Sequence, residues 1–424
     1  MKTIRALFKY IFDFLVLFGF LFQMTPEQIP GFNSRRISAL LAIVVLIFRH
    51  KKVMSLWRGL SMSNIKKAIG CLIVCGFLLL ISYVSKGVSS PQNEYFEPWY
   101  IIYLVLYVII FPLFCLVEFN DIKDFAKVYL GIFSVQFVAV MMSAISTPFR
   151  LILYELFYYG DDRFDKTVMF GSRIIGIALN SSAGSITCCT CALLLAYLLL
   201  KNKIKYIPFL IFYGMVTLTT LFIGRMGVVV EVIILLAVLF MGGRKAVGRG
   251  FVMMAMLGLF SLLLAKVMTS MDTGNSDTLE QWMTAVFDEE EREHTLQGIN
   301  RDSALPEFSS EFILGTGVMT GRTPGGAIVN SDSGYIMILS SLGIVGALFY
   351  YAFFFLLYSQ HKHKNEERKV ALFFLITILC SFIVEYKEPY MLKYTMPFMI
   401  IYLSLFERLE YVQNRLSIGK EVSI

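Results

Sequence analysis

Long apolar runs, separated by short polar segments, recur along almost the whole chain. A helix needs about 20 mainly apolar residues to cross the hydrocarbon core of a membrane, and lipid leaves no water to satisfy an open strand. Only 16% of the residues are charged, whereas a soluble domain carries about 25%. The sequence therefore predicts an all-α polytopic membrane protein, with residues 1–424 forming a single integral membrane domain.

The apolar runs predict about 12 transmembrane helices. The first ends near Met24, and it is expected to be a retained span because no small-residue cleavage site follows it. Inside it, Asp13 lies four residues after Lys9, so we expect these two side chains to form an ion pair. The other spans are expected at residues 37–48, 68–84, 99–117, 126–146, 183–200, 206–222, 226–242, 250–267, 334–357, 370–386 and 391–406.

The second run is short for a span. We expect it to extend into residues 33–36, with Arg35 and Arg36 snorkelling toward the membrane surface.

Lysine and arginine predict the orientation of these spans, because both concentrate in cytoplasmic loops. The strongest concentration lies in residues 49–67, and the loops around Lys245 and Lys364 fall on the same side when the spans alternate. Both termini are therefore expected in the cytoplasm. The net charge of +7 follows from this distribution and gives no reason to expect nucleic acid as a partner.

Two long loops are expected on the extracytoplasmic side, at residues 147–183 and 268–332. Long loops in a compact membrane domain are usually functional. Residues 149–159 are too few to span a membrane and predict an interfacial or re-entrant helix. In the second loop, apolar residues at helical spacing over 279–287 predict an amphipathic helix on the outer membrane face. A simple lid without a catalytic part is the alternative.

Neither a disulfide framework nor a metal site is indicated. All seven cysteines lie within apolar runs, where they are expected as small helix-packing residues. Of the four histidines only His294 falls in an outer loop, and the chain has no phosphate-binding loop, dinucleotide fingerprint or zinc-protease motif. We therefore expect no metal and no cofactor.

Arginines in the outer loops are the first candidates for binding an anion, since the planar guanidinium suits phosphate oxygens. Arg225 is notable because two spans turn there with almost no loop, and a charge held at that depth is costly unless it is used or paired. Headgroup binding or salt bridges are the alternative. The candidates are Arg163, Arg173, Arg225, Arg292, Arg301 and Arg322.

Asp332 is the leading acidic candidate because it immediately precedes a span. Held at fixed depth and partly desolvated, its carboxylate would be a better base. Equally, it could cap the helix that starts near Ser333. The other acidic residues expected on this side are Asp161, Asp162, Asp165, Glu307, Glu311, Glu385 and Glu388.

Four short patches resemble those of the O-antigen polymerases and ligases, a bacterial superfamily of polytopic glycosyltransferases. The patches are Arg173-Ile-Ile-Gly176-Ile-Ala-Leu-Asn180; Thr220-Leu-Phe-Ile-Gly224-Arg225-Met-Gly227; Arg301 followed by Leu314-Gly-Thr-Gly317; and Asp332-Ser-Gly-Tyr335-Ile336 followed by Leu342-Gly343-Ile344-Val345-Gly346. The topology resembles the family over the whole chain. The ligases place histidine where this chain has Asp332, which favours a polymerase.

The resemblance implies a bundle similar to the GT-C class in the bacterial cytoplasmic (inner) membrane. It implies that a glycan on undecaprenyl diphosphate is transferred to a lipid-linked repeat unit without a metal. In that reaction Asp332 would take the acceptor proton, while Arg225 and Arg301 would neutralise the leaving diphosphate. Substrate-binding roles would fall on Arg163, Arg173, Arg322, His294, Glu311 and Tyr335.

The implied partners are polyprenyl-diphosphate-linked glycans, membrane lipid, a flippase and a chain-length regulator. Ligase-type glycan transfer, a lipid-linked glycan transporter or flippase, and a structural partner without catalysis stay open as alternatives.

Overall fold

The computed structural model describes residues 2–25, 29, 32–59, 63–86, 94–157, 174, 176–177, 181–241, 310–323, 328–329, 331, 333–359, 368–386, 389–393 and 395–421. Most of these residues are helical. The first half of the chain contains α1 (Lys2–Leu21), α2 (Ser34–Phe48), α3 (His50–Gly59), α4 (Ser63–Lys86), β1 (Glu94–Tyr95), α5 (Pro98–Leu104), a π-helical segment (Val105–Ile110), α6 (Phe111–Glu118), α7 (Ile122–Ile145), α8 (Thr147–Phe157) and α9 (Ser181–Leu200).

The second half continues the helical pattern but adds two short strands. Its elements are α10 (Tyr206–Ile223), α11 (Arg225–Met241), α12 (Ser310–Leu314), β2 (Val318–Arg322), β3 (Ile328–Val329), α13 (Gly334–Tyr358), α14 (Arg368–Glu385), a 3₁₀ turn (Tyr390–Lys393) and α15 (Thr395–Glu421).

Several of these helices are long and apolar enough to cross a membrane. Within the described residues there are five, at Asn64–Ser82, Trp99–Glu118, Ile122–Ile145, Tyr206–Ile223 and Gly334–Tyr358. Two shorter apolar helices lie at Gly184–Leu200 and Gly227–Met241. The chain is therefore a mainly helical, membrane-embedded protein. The span expected at residues 250–267 and the amphipathic helix expected at 279–287 lie outside the described residues.

The chain forms two compact units. One comprises residues 1–48, 117–289 and 367–377. Within it, α1 packs on α2 and α7, while α9, α10 and α11 pack on one another.

An ion pair in this first unit confirms a prediction from the sequence. Lys9 Nζ lies 2.5 Å from Asp13 Oδ2 and also 3.0 Å from Glu118 Oε2. Asp13 is only 2% exposed, so the lysine compensates a carboxylate that would otherwise be costly to bury.

Arg35, by contrast, does not snorkel. It is buried, and its Nε donates a hydrogen bond of 2.9 Å to the carbonyl of Phe20 at the end of α1. A cation at a helix C-terminus satisfies carbonyls that have no partner within the helix. The predicted extension of the second apolar run is confirmed, because α2 begins at Ser34.

The other unit comprises residues 49–116, 290–366 and 378–424. Its centre is the packing of α4 against α13. Asn64 Nδ2 donates to Ser359 Oγ at 3.3 Å near one end, and the Cys75 thiol lies 3.5 Å from the carbonyl of Gly346 further along. The two helices are therefore antiparallel.

Helix α13 is bent at Gly343, whose φ of 66° and ψ of 178° are not helical. The rings of Tyr335 and Tyr351, on opposite sides of the bend, are 5.3 Å apart between centroids. In a straight helix their Cα atoms would be about 24 Å apart. The two arms, residues 334–342 and 344–358, therefore fold toward each other, whereas the sequence predicts one uninterrupted span at 334–357.

A small antiparallel sheet adds to the expected all-helical fold. Its strand order is β1-β2-β3, with Glu94 opposite Thr320 and Arg322 opposite Ile328. The amide of Phe96 extends the pairing by donating to the carbonyl of Gly317 at 2.8 Å. The sheet ties the segment before α5 to the segment before α13.

Candidate functional site

The loop Gly315-Thr316-Gly317 packs directly against the bend of α13. Gly315 has φ of 82°, and a Cβ on it would collide with the backbone of Leu342 and Gly343. A Cβ on Gly343 would in turn collide with the backbone of Ile313 and Gly315. Only glycine therefore fits at both positions, because side chains rarely adopt positive φ and the colliding atoms are backbone.

Hydrogen bonds explain why this loop lies at the bend. The break frees the last carbonyls of the first arm of α13, which a continuous helix would pair internally. Thr316 N donates to Ser340 O at 2.9 Å, and Gly317 N donates to Ser341 O at 2.8 Å. Ser82 Oγ of α4 donates to the carbonyl of Gly315 at 3.2 Å. The Gly-Thr-Gly loop thus caps the first arm and attaches it to α4.

A buried carboxylate lies beside the other end of the first arm. Glu385 is 0% exposed, and its Oε2 accepts a hydrogen bond of 2.9 Å from the amide of Met391. Its Oε1 would be only 2.7 Å from a Cβ on Gly334, the first residue of α13. A negative charge next to a helix N-terminus is stabilised by the helix dipole. Glu385 therefore packs against the start of α13 and stabilises it.

The start of α13 is described on either side of Asp332. The N-cap is Ser333, which makes no side-chain capping bond. The amide of Ser333 instead donates to Ser331 Oγ at 3.1 Å. Asp332 itself lies outside the described residues, so base and helix cap both stay open as its role.

Two predicted binding residues of this unit are visible. Tyr335 is half-buried, and its hydroxyl donates to the carbonyl of Phe382 at 2.6 Å. Arg322 is an exposed residue at the end of β2. Tyr335 is thus held by main chain, whereas Arg322 lies at the protein surface.

In the other unit, the tight turn predicted at Arg225 is confirmed. Helix α10 ends at Ile223, Gly224 is its C-cap, and α11 begins at Arg225. The amide of Gly224 donates to the carbonyl of Thr220 at 2.8 Å. Of Arg225 the structure describes the backbone and not the side chain.

The patch that follows Arg173 is held at this same turn. Ile174 N donates to the carbonyl of Phe222 at 3.0 Å, and Ile177 N donates to Gln136 Oε1 at 2.8 Å. Gln136 is fully buried on α7. Two patches that are far apart in sequence therefore meet beside α7.

Next to this turn, the buried carboxyl of Glu231 lies among α9, α10 and α11. Glu231 of α11 is 0% exposed, and Thr220 Oγ1 of α10 contacts its Oε1. Tyr213 also links the two helices, since its hydroxyl donates to the main-chain carbonyl of Glu231 at 2.5 Å. Thr220 belongs to the arginine patch, so this patch also packs the helices that form the turn.

Several predicted site residues cannot be placed. Glu311 lies in α12, of which the structure describes the backbone alone at that position. The residues that lie outside the described part of the chain are Arg163, Arg173, His294, Arg301 and Asp332.

The structure adds two acidic residues to the candidate set. Glu385 is one of the eight acidic residues expected on the outer side, without an assigned role, and Glu231 lies within the span expected at residues 226–242. The same sequence feature indicates both residues. Each is an ionisable residue in an apolar run, and such a residue within a membrane is usually functional or paired. In the described residues, no group of three histidine, cysteine or acidic side chains could hold a metal ion.

Comparisons of the chain with protein-family models, curated proteins and solved structures find no match. The fold and the polar clusters therefore define the class of a mainly helical membrane protein, and the function rests on the residues themselves.

Proposed function

We propose that the protein polymerises undecaprenyl-diphosphate-linked oligosaccharide repeat units into a surface polysaccharide, such as O-antigen, capsule or exopolysaccharide. The observation that carries the proposal is the pairing of the four sequence patches. The backbone after Arg173 is bonded to the turn at Arg225 in one unit, and the loop Gly315-Thr316-Gly317 caps the bend at Gly343 in the other. These contacts support the proposal because they bring the patches that resemble the family together in pairs.

The proposed reaction is a glycosyl transfer. A hydroxyl of the acceptor repeat unit attacks the anomeric carbon of the donor glycan, and the carbon–oxygen bond to the lipid diphosphate breaks. Asp332 takes the hydroxyl proton, while Arg225 and Arg301 stabilise the negative charge of the departing diphosphate. Arg163, Arg173, Arg322, His294, Glu311 and Tyr335 are proposed to bind the substrates, and no metal enters the reaction.

The proposal places the protein in the cytoplasmic membrane with both termini inside. Asn64 and Ser359 are in contact, which agrees with the expectation that residues 49–67 and the loop around Lys364 share one side. Gly315 contacts Ser82, toward the other end of α4, as an outer loop should.

Cysteine labelling on intact cells tests this topology. We expect a cysteine at Ser276 to react with a membrane-impermeant maleimide, while cysteines at Met54 and His361 react only after lysis. Labelling of Ser276→Cys only in lysed cells would invert the topology and remove the proposed outer site.

Reconstitution tests the function. The purified protein in lipid vesicles should convert a lipid-linked repeat unit into a ladder of longer lipid-linked chains and release undecaprenyl diphosphate. A lipid A acceptor added in a parallel reaction separates the ligase alternative, which predicts transfer to lipid A and no ladder. Absence of any new glycosidic bond, with the protein folded, would reject both kinds of transferase.

Asp332→Asn tests the proposed base. Asparagine keeps the size and hydrogen-bonding capacity of aspartate but cannot take a proton, so we expect single repeat units to accumulate on the lipid carrier while protein levels stay normal. Gel analysis of the lipid-linked glycans measures this. Full-length polymer from the variant would place the base elsewhere, with His294 and Glu311 the next residues to test.

A transporter of lipid-linked glycans is the second candidate, favoured by one observation. Transporters use ionisable residues within the membrane, and Glu231 is fully buried in an apolar helix. Movement of the lipid-linked unit across vesicles, without growth of the glycan, would support this candidate.

A further inference from the structure

Glu231 lies in a polar cluster that the proposed glycosyl transfer does not use. Cys188 and Cys191 of α9 and residues of α10 lie near it, and none of these neighbours carries a positive charge. The titratable groups that face it are Cys188, Cys191 and Tyr213, and Cys189 completes the cysteine cluster by bonding the carbonyl of Gly227. Among the described residues, an ionised Glu231 would have no counter-ion, and an isolated buried charge is strongly unfavourable.

The hydrogen bonds around the carboxyl indicate where its proton is. Thr220 Oγ1 lies 2.9 Å from the carbonyl of Val216 in its own helix and also contacts Glu231 Oε1. A hydroxyl has one proton to donate. If Thr220 donates to Val216, the bond between Thr220 and Glu231 needs a proton from Glu231.

Of the other nearby hydroxyls, Thr217 also interacts with the carboxyl, but Thr217 and Tyr213 each have a main-chain acceptor for their one proton. Tyr213 donates to the main-chain carbonyl of Glu231 at 2.5 Å, and Thr217 donates to the carbonyl of Tyr213 at 3.1 Å. Oε2 of Glu231 is buried and has no hydrogen-bond partner within the part of the chain that the structure describes. A carboxylate would need more donors than this arrangement supplies, whereas a neutral acid needs one acceptor for its proton.

We propose that Glu231 is a proton-binding site inside the membrane domain: its carboxyl carries a proton, donates it to Thr220 Oγ1, and so fastens α11 to α10 beneath the turn at Arg225. The ligand is a single proton, and the site consists of one carboxyl, one hydroxyl and the apolar and thiol groups of α9. This inference does not depend on the proposed polymerase activity.

The proton has a structural consequence for the turn. The Thr220 methyl group would be 2.5 Å from a Cβ on Gly227, so the two helices are in close contact on either side of Gly224. The Glu231–Thr220 bond lies one helical turn beyond Gly227 along α11. Glu231 is therefore a positioning residue for the turn on which Arg225 lies.

Infrared spectroscopy of the purified full-length protein tests the proposal. In a detergent without ester groups, a protonated carboxyl gives a carbonyl band at higher wavenumber than amides and carboxylates, and the band shifts in heavy water. We expect Glu231→Gln to remove this band and Glu385→Gln, the matched control, to leave it. The control carboxyl is also fully buried, and its Oε2 accepts a hydrogen bond from the Met391 amide.

A band that Glu385→Gln removes and Glu231→Gln leaves would overturn the proposal, as would the absence of a band in the unmodified protein. If Glu231→Gln does not accumulate as folded protein, Thr220→Val decides. Because this variant removes the acceptor hydroxyl of Thr220, the carbonyl band of Glu231 should shift to higher wavenumber. An unchanged band would show that Glu231 does not donate to Thr220.

Thermal unfolding supplies a second readout. Glutamine can donate to Thr220 as the protonated acid does, so the midpoint of Glu231→Gln should stay near that of the unmodified protein, while Glu231→Ala should unfold at a lower temperature. Equal midpoints for the two variants would show that the proton does not hold the helices together.

Discussion

Replacing Arg225 with alanine is expected to lower the rate of polymer formation by about 10²–10³, because loss of one group that stabilises a developing anion costs a few kcal/mol of transition-state stabilisation. The residue begins α11 directly after the Gly224 cap, so a rigid turn fixes its backbone. The rate of chain growth in vesicles, at equal protein levels, is the measurement. Arg301→Ala should behave similarly.

Two further variants make this result specific. Arg225→Lys should restore little activity if the guanidinium binds the diphosphate through two hydrogen bonds, since lysine lacks that planar fork. Arg36→Ala removes an exposed arginine of α2 and should leave the rate unchanged. Long chains at normal rates from Arg225→Ala would remove this residue from the proposed reaction.

Replacing Gly343 with alanine is expected to have the second large effect, on folding rather than chemistry. Its φ of 66° and ψ of 178° fall in a region that is essentially restricted to glycine, and other residues held there cost about 1–3 kcal/mol. The new Cβ would also collide with the backbone of Ile313 and Gly315, which cannot rotate away. We expect most of the protein to be lost from the membrane fraction, with the remainder inactive.

A glycine in the adjacent helix provides the control. Gly76 of α4 has no atom within 4 Å of the position that a Cβ would occupy, and alanine favours a helix more than glycine does. Gly76→Ala should therefore accumulate and polymerise normally, while Gly315→Ala should fail as Gly343→Ala does. Normal yield and activity from Gly343→Ala would mean that the bend is not needed.

The helices were predictable because their signal is local. Each predicted span in the described part of the chain coincides with helical residues, since lipid favours a helix wherever about 20 apolar residues occur together. The Lys9–Asp13 pair was predictable for the same reason, being one helical turn apart. The tight turn at Arg225 was readable from an apolar run interrupted by two glycines.

The bend of α13 was not predictable, because its cause is far away in sequence. A glycine within an apolar run is usually tolerated in a straight helix, and Leu342-Gly343 carried no sign that the Gly315 loop would bond to Ser340 and Ser341. The small sheet was not predictable for a similar reason, since β1 is a two-residue strand whose partner lies more than 200 residues later in the chain. Arg35 was expected at the surface, but the carbonyl of Phe20 at the end of α1 provided a buried partner.

The fold-back of α13 has a consequence for competing chemistry. Because the rings of Tyr335 and Tyr351 approach each other across the bend, the start of α13 lies back along the second arm, next to the fully buried Glu385. A closed site from which water is excluded prevents side reactions such as hydrolysis. In the proposed transfer, whose donor would otherwise be consumed by water, the bent helix would therefore favour growth of the chain over loss of the repeat unit.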